Sequence, residues 1–157
     1  MRRSLDAIDL QILAVMYREG AISNKALASR VGIAPSTALE RVRRLKESGV
    51  LRAIRAQIDL KAIGVNMQAI VAIQLNHHTA EAFRRFRDEV LLNREVLSLY
   101  HMGGENDFFV HVAVGDAEHL RDFIYRVFTS NAAVKHVETA IVYEHCLGRL
   151  LPTVSRD

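Results

Sequence analysis

The first third of the chain repeats apolar residues at helical spacing. Ile8, Ile12, Val15 and Met16 recur three or four apart behind Asp6, whose carboxylate can accept N–H groups at a helix start, and Gly20 supplies a stop. A helix is expected over residues 5–18. Ser23 or Asn24 can cap a second helix, with Leu27, Ala28 and Val31 facing inward. A tight turn at Val31-Gly32-Ile33 leads to a third, in which Ala38, Leu39, Val42 and Leu45 form one apolar face. Pro35 suits a first helical turn, where its missing N–H is not needed, while Ala34 sits where a capping serine would be expected. Three helices this short hold a core only by packing together.

After Gly49 the period changes. Residues 50–60, VLRAIRAQIDL, alternate broadly between apolar and polar, which predicts a strand or strand pair beside the helices, running on into a linker. Gly64 marks the boundary. Strands are expected over 68–76, 95–102, 108–114 and 134–145, and helices over 79–91 and 116–128. The first strand carries Val71, Ile73 and Leu75 on one face and Ile70, Ala72 and Gln74 on the other. The helices turn Phe83, Phe86 and Val90, then Leu120, Ile124 and Val127, inward. The order βαββαβ is the ferredoxin-like split motif, whose helices cover one face of an antiparallel sheet. The other face also carries apolar residues, and a second copy of the chain is the expected cover. The fold class is thus α+β. A winged helix-turn-helix unit (1–60, linker about 50–67) is joined by a linker strand to a ferredoxin-like domain (68–146) and a tail (147–157).

Charge divides the same way. Residues 1–60 hold 11 Lys and Arg against 6 Asp and Glu, and residues 61–157 hold 10 against 12, so the net of +3 conceals a basic first part. Only that part is suited to a polyanion. On the third helix Ser36, Thr37, Glu40, Arg41 and Arg44 lie opposite the apolar face, an arrangement fit for the DNA major groove. The leading residues can reach bases, and Arg41, Arg43, Arg44 and Lys46 can meet phosphates. The plainer alternative is a solvated helix with Glu40 paired to Arg44. Arg52 and Arg55 could track a phosphate backbone or simply be exposed. One cysteine, Cys146, excludes an intrachain disulfide and a thiolate zinc cluster. His101 and His111, on neighbouring predicted strands, are candidates for a pH response, but no metal site or cofactor is expected. The N-terminal residues lack the apolar core of a signal peptide and no apolar run is long enough to span a membrane, so a cytoplasmic setting without membrane contact is expected. No nucleophile with a base, no carboxylate pair and no phosphate loop appears, which argues against an enzyme. An interaction module without DNA binding remains the other alternative, opposed by the arginines at 41, 43 and 44.

The helix-turn-helix, the basic segment and the βαββαβ order together resemble the leucine-responsive regulatory protein/AsnC family. The stretches LDAIDLQIL, ISNKALASRVGIAPSTALERVRRLKESGVL, GGENDFFVHV and VKHVETAIVYE carry the likeness, from about residue 5 to 146. The resemblance implies a sequence-specific transcriptional regulator whose partners are double-stranded DNA, further copies of itself (a dimer, often an octamer) and an amino acid or related effector. Family effectors bind between dimers, against the loop joining the second and third strands of the C-terminal domain. Gly103, Gly104, Glu105, Asn106 and Asp107 occupy that loop's places, and Thr139 matches a threonine that lines the same pocket. Asn106 replaces the usual aromatic, making the loop more polar. Backbone N–H groups beside the glycines can hold a carboxylate, and Glu105 or Asp107 can meet an ammonium. A plain β-turn is the alternative for this loop.

Overall fold

In the computed structural model, which describes residues 4–152, Asp6 caps the first helix, α1 (Ala7–Glu19). Its carboxylate accepts from the Asp9 N–H at 2.8 Å, and the Asp9 side chain reaches back to the Asp6 N–H at 3.4 Å. Ser23 Oγ accepts from the Ala26 N–H at 3.2 Å and opens α2 (Asn24–Val31). Gly32, at φ 73°, ends α2 in the left-handed conformation that a side chain would strain. The chain can then turn directly into α3 (Pro35–Glu47), where Pro35 takes the first position and Ala34 offers no side-chain cap. Ile12, Met16, Leu27 and Leu45 form the centre of this unit, with Ile8, Val15, Val31, Val42 and Leu51 packed around them. Leu39, expected on the apolar face, is 61% exposed instead.

The strand expected over 50–60 is not formed. Residues 52–59 run without ladder pairing, and the sheet of the described residues draws its four strands from elsewhere. Alternation makes a segment suitable for a strand, but a strand needs a neighbour to exchange N–H and C=O bonds. Ile54 and Ile58 stay exposed.

The chain divides at residues 58/59 into two units, with the segment from Cys146 grouped with the first. The second unit opens with a 3-10 turn (Lys61–Ile63) and then follows the expected order. Its elements are β1 (Met67–Leu75), α4 (Ala80–Val90), β2 (Val96–His101), β3 (Phe108–Val114), α5 (Ala117–Ile124) and β4 (Val134–Val142). The strands are antiparallel in the order β2-β3-β1-β4, with Val71 facing Val110 on one side and Thr139 on the other. One face (Val71, Ile73, Leu75, Phe108, Val110, Val112) packs under Phe86 and Val90 of α4 and Leu120 and Phe123 of α5. No helix of this unit covers the opposite face, where Gln68, Ile70 and Gln74 are half-buried.

The expected helix over 116–128 is two pieces. α5 passes at Tyr125–Thr129 into a π-helical turn. Phe123 and Phe128 are both fully buried and meet edge-to-face at 5.5 Å. Five residues apart, they would point about 140° from each other around an α-helix. The wider π turn, closing i to i+5, brings Phe128 back to the Phe123 side. Of the tail, residues 153–157 lie outside the described residues.

Candidate nucleic-acid interface and effector loop

Burial orients α3. Ala38 and Leu45 are buried against α1 and α2, which turns Ser36, Thr37, Glu40, Arg43 and Lys46 to solvent. Asn24 of α2 donates to the Pro35 carbonyl at 2.6 Å and ties the start of α3 to the preceding helix. The predicted cations do not behave alike. Arg43 pairs along the exposed face with Glu40 at 2.8 Å and Glu47 at 3.2 Å. Glu40 therefore takes Arg43, not the Arg44 expected from i,i+4 spacing. Arg44 turns toward Asp9 at 3.6 Å. Arg41 turns further in, and its Nη1 lies 2.7 Å from both Asp6 Oδ2 and Asp9 Oδ1. The hydrogen bonds that Arg41 donates to Asp6 and then Asp9 raise its pKa, while Arg41 and the Asp9 N–H hold the Asp6 carboxyl below its usual range. Arg43 lowers Glu40 in the same way, and Glu40 raises Arg43. The outward face thus presents two hydroxyls, a carboxylate and a guanidinium that is matched only by surface partners.

The loop after β2 is exposed at Gly103, Gly104 and Glu105, half-buried at Asn106 and buried at Asp107. Asp107 is committed to the fold. Its N–H donates to Ile73 O at 2.8 Å, its carbonyl accepts from the Met102 N–H at 2.8 Å, and its Oδ2 accepts from the Leu75 N–H at 2.7 Å. The β1–β3 ladder ends at the Ile73–Phe108 pair, so the carboxylate serves an amide that the ladder leaves over. His78 Nε2 stands 3.2 Å from the same oxygen. Glu105 remains the outward acid of the loop. Thr139 does not join it within one chain. It sits exposed on the edge strand β4, two strand spacings from β3, roughly 10 Å.

Residues 5–52 match the family described as Winged helix-turn-helix DNA-binding, and residues 68–149 match the Lrp/AsnC ligand binding domain. The chain belongs to the Lrp/AsnC family of transcriptional regulators. It is 38% identical to the HTH-type transcriptional regulator AldR of Mycolicibacterium smegmatis, over 93% of this chain and 85% of that one. It is 32% identical to the leucine-responsive regulatory protein of Rhizobium meliloti, over 90% of each. Among solved structures, a transcriptional regulator from Neisseria meningitidis in complex with L-Met superposes with a TM-score of 0.85 at 25% identity, covering 95% of this chain and 97% of that one. The relatives are named as regulators, and regulation rather than catalysis is the work of this family. No helix among the described residues is long and apolar enough to cross a membrane.

Several polar groups of this Lrp/AsnC-family chain escape a reading of the sequence. Asp6 is visible as a helix start, but neither it nor Asp9 is visible as a partner of Arg41, because the pairing spans more than 30 positions. His101 and His111 do not meet. His101 pairs in register with Phe108 and stacks on it at 4.8 Å, while His111 faces Ser98 across the strands. His111 bonds instead to Gln68 at 2.9 Å and meets the His145 ring edge-on at 5.0 Å. Burial, then the neighbouring His145, pushes the His111 pKa down. Glu95, buried at the start of β2, receives Arg126 at 3.0 Å and His119 at 3.3 Å. Burial raises its pKa, but its own backbone N–H, His119 and Arg126 outweigh that and leave it below the usual carboxylate range. Arg126 also lies over the Phe123 ring and donates to Asn93, so this group ties α5 to β2.

Proposed function

We propose that the chain reads double-stranded DNA through α3 as a homodimer or a larger assembly, and that an amino acid bound at the Gly103–Asp107 loop alters that assembly. The observation that carries the reading is the outward face of α3, on which Ser36, Thr37, Glu40, Arg43 and Lys46 are free of the helical core. Arg43 is suited to guanine, Glu40 to the amino group of cytosine, and Lys46 to a phosphate. The helix-free sheet face supports self-association, since a face bearing Ile70 and His111 gains by being covered. The L-Met complex of the Neisseria meningitidis regulator supports an amino-acid effector here. With Asp107 occupied by the fold, Glu105 is the acid for the effector's ammonium, the N–H groups near Gly103 and Gly104 take its carboxylate, and Thr139 is supplied by another subunit. An effector acts by binding one arrangement of subunits better than another.

The test is an electrophoretic shift on the DNA upstream of the protein's own coding sequence, at two salt concentrations, with and without a pool of amino acids. A specific complex that weakens with salt and responds to the pool is expected. A complex indifferent to the pool would remove the effector from the reading, and failure to select any sequence from a random duplex library would remove DNA reading itself.

A further inference from the structure

Arg41 stands apart from the other cations of α3. Its side chain is 19% exposed, and one nitrogen serves both Asp6 oxygens, at 2.9 and 2.7 Å, and Asp9 Oδ1 at 2.7 Å. Asp9 is itself buried, with Arg44 3.6 Å away as a second cation. The two carboxylates that close the first turn of α1 therefore also receive the inner flank of α3. Around the helix, Arg41 lies roughly 60° from the buried Ala38 position, whereas Ser36, Glu40 and Arg43 fall within about 40° of the opposite pole. Drawing Arg41 out to a phosphate would deprive the buried Asp9 of its closest cation, which low-dielectric surroundings penalise. Geometry sets the stakes for the reading face. A roll of α3 by about 20° moves a side-chain tip by about 2 Å, more than a hydrogen bond tolerates.

We infer that Arg41, held by Asp6 and Asp9, is a positioning residue that fixes the roll of α3 against α1 and does not itself touch DNA. The inference rests on the DNA-reading function proposed above. It separates a braced flank, Arg41 and Arg44 on Asp9, from a reading face of Ser36, Glu40 and Arg43.

The test uses the full chain, a duplex that the unaltered protein selects from a random library, and an unrelated duplex, with affinities measured over a series of salt concentrations. Asp9→Asn removes no cation from the protein. A positioning role predicts that it weakens the selected complex about tenfold while leaving affinity for the unrelated duplex, and its salt slope, unchanged. Arg41→Gln should do the same, and Arg41→Lys should restore part of the loss. Lys46→Ala and Arg43→Ala serve as the contrast, the first lowering the salt slope by about one and the second weakening the selected complex about tenfold with relaxed sequence preference. Tighter binding by Asp9→Asn, as two guanidiniums are freed for phosphates, or a slope lowered by Arg41→Gln, would overturn the inference. So would an Asp9→Asn protein that binds the selected duplex as before. Thermal unfolding of each variant checks the fold, and if Asp9→Asn does not fold, the Arg41→Gln and Arg41→Lys pair decides the question. Absence of sequence selection by the unaltered chain would instead refute the DNA-reading function, a result the variants cannot mimic.

Discussion

Replacing Asp107 by alanine asks whether the buried acid of the proposed effector loop is a strut or a ligand contact. The residue is 8% exposed, and its Oδ2 accepts from the N–H of Leu75, which is 1% exposed. Alanine leaves that amide buried without a partner, a loss of about 1–3 kcal/mol. The His78 pair adds little, because His78 is largely exposed and an exposed pair is worth about 0–1 kcal/mol. Asp107→Ala should therefore cost about 1–3 kcal/mol, and Asp107→Asn, which keeps a carbonyl oxygen for Leu75, distinctly less. Urea unfolding followed by circular dichroism measures both, at one protein concentration because association adds to apparent stability. Equal losses for the two variants, or a loss below about 0.5 kcal/mol for alanine, would refute the strut. The asparagine variant should also keep its response to amino acids. Loss of that response in a stable Asp107→Asn protein would return Asp107 to the list of effector contacts.

Phe123→Ala should destabilise the sheet unit by about 3–5 kcal/mol, since it empties a buried ring site against Phe128 and removes the surface beneath Arg126; thermal unfolding measures the drop. Ala34→Ser should add about 1 kcal/mol, because Ala34 already has the extended backbone of an N-cap (φ −66°, ψ 145°) and lacks only the oxygen; an unchanged melting temperature would count against it. His111 has a lowered pKa in the folded chain, so below its ordinary value of 6.5 the unfolded chain binds the proton more readily. Its contribution is full above that value and is lost as pH falls toward the folded pKa. His111→Gln should make stability less dependent on pH between about 7.5 and 5.5, and parallel pH profiles for the two proteins would contradict this.

What could be read from the sequence was whatever short stretches decide for themselves. Asp6, Ser23, Gly20 and Gly32 mark helix ends by bonds to neighbours within a few residues, and alternating Val71, Ile73 and Leu75 reveal a strand with one buried face. The segment over 50–60 shows the limit, because its alternation is genuine and its pairing partner is not local. The π turn after α5 was hidden for a related reason, since Ile124 and Val127 keep helical spacing while the buried pair Phe123 and Phe128 demands a wider turn. In the candidate site, residue types singled out one helix and one loop, but which arginine of that helix faces outward depends on carboxylates more than 30 positions away. Asp107 was legible as a loop acid and not as an acceptor for Leu75.

The division of α3 into a buried stripe and an outward face bears on how such a regulator changes its targets. Ser36, Glu40, Arg43 and Glu47 are exposed, and among the described residues the bonds of Arg43 run only to Glu40 and Glu47. Substitutions at these positions leave Ile12, Leu27, Ala38 and Leu45 as they are, and surface changes of that kind shift stability by about 0.5 kcal/mol or less. With the DNA-reading role proposed for this face, a duplicated copy can drift through many alphabets of operator preference without passing through an unfolded ancestor. Its repertoire can diverge while its scaffold stays still.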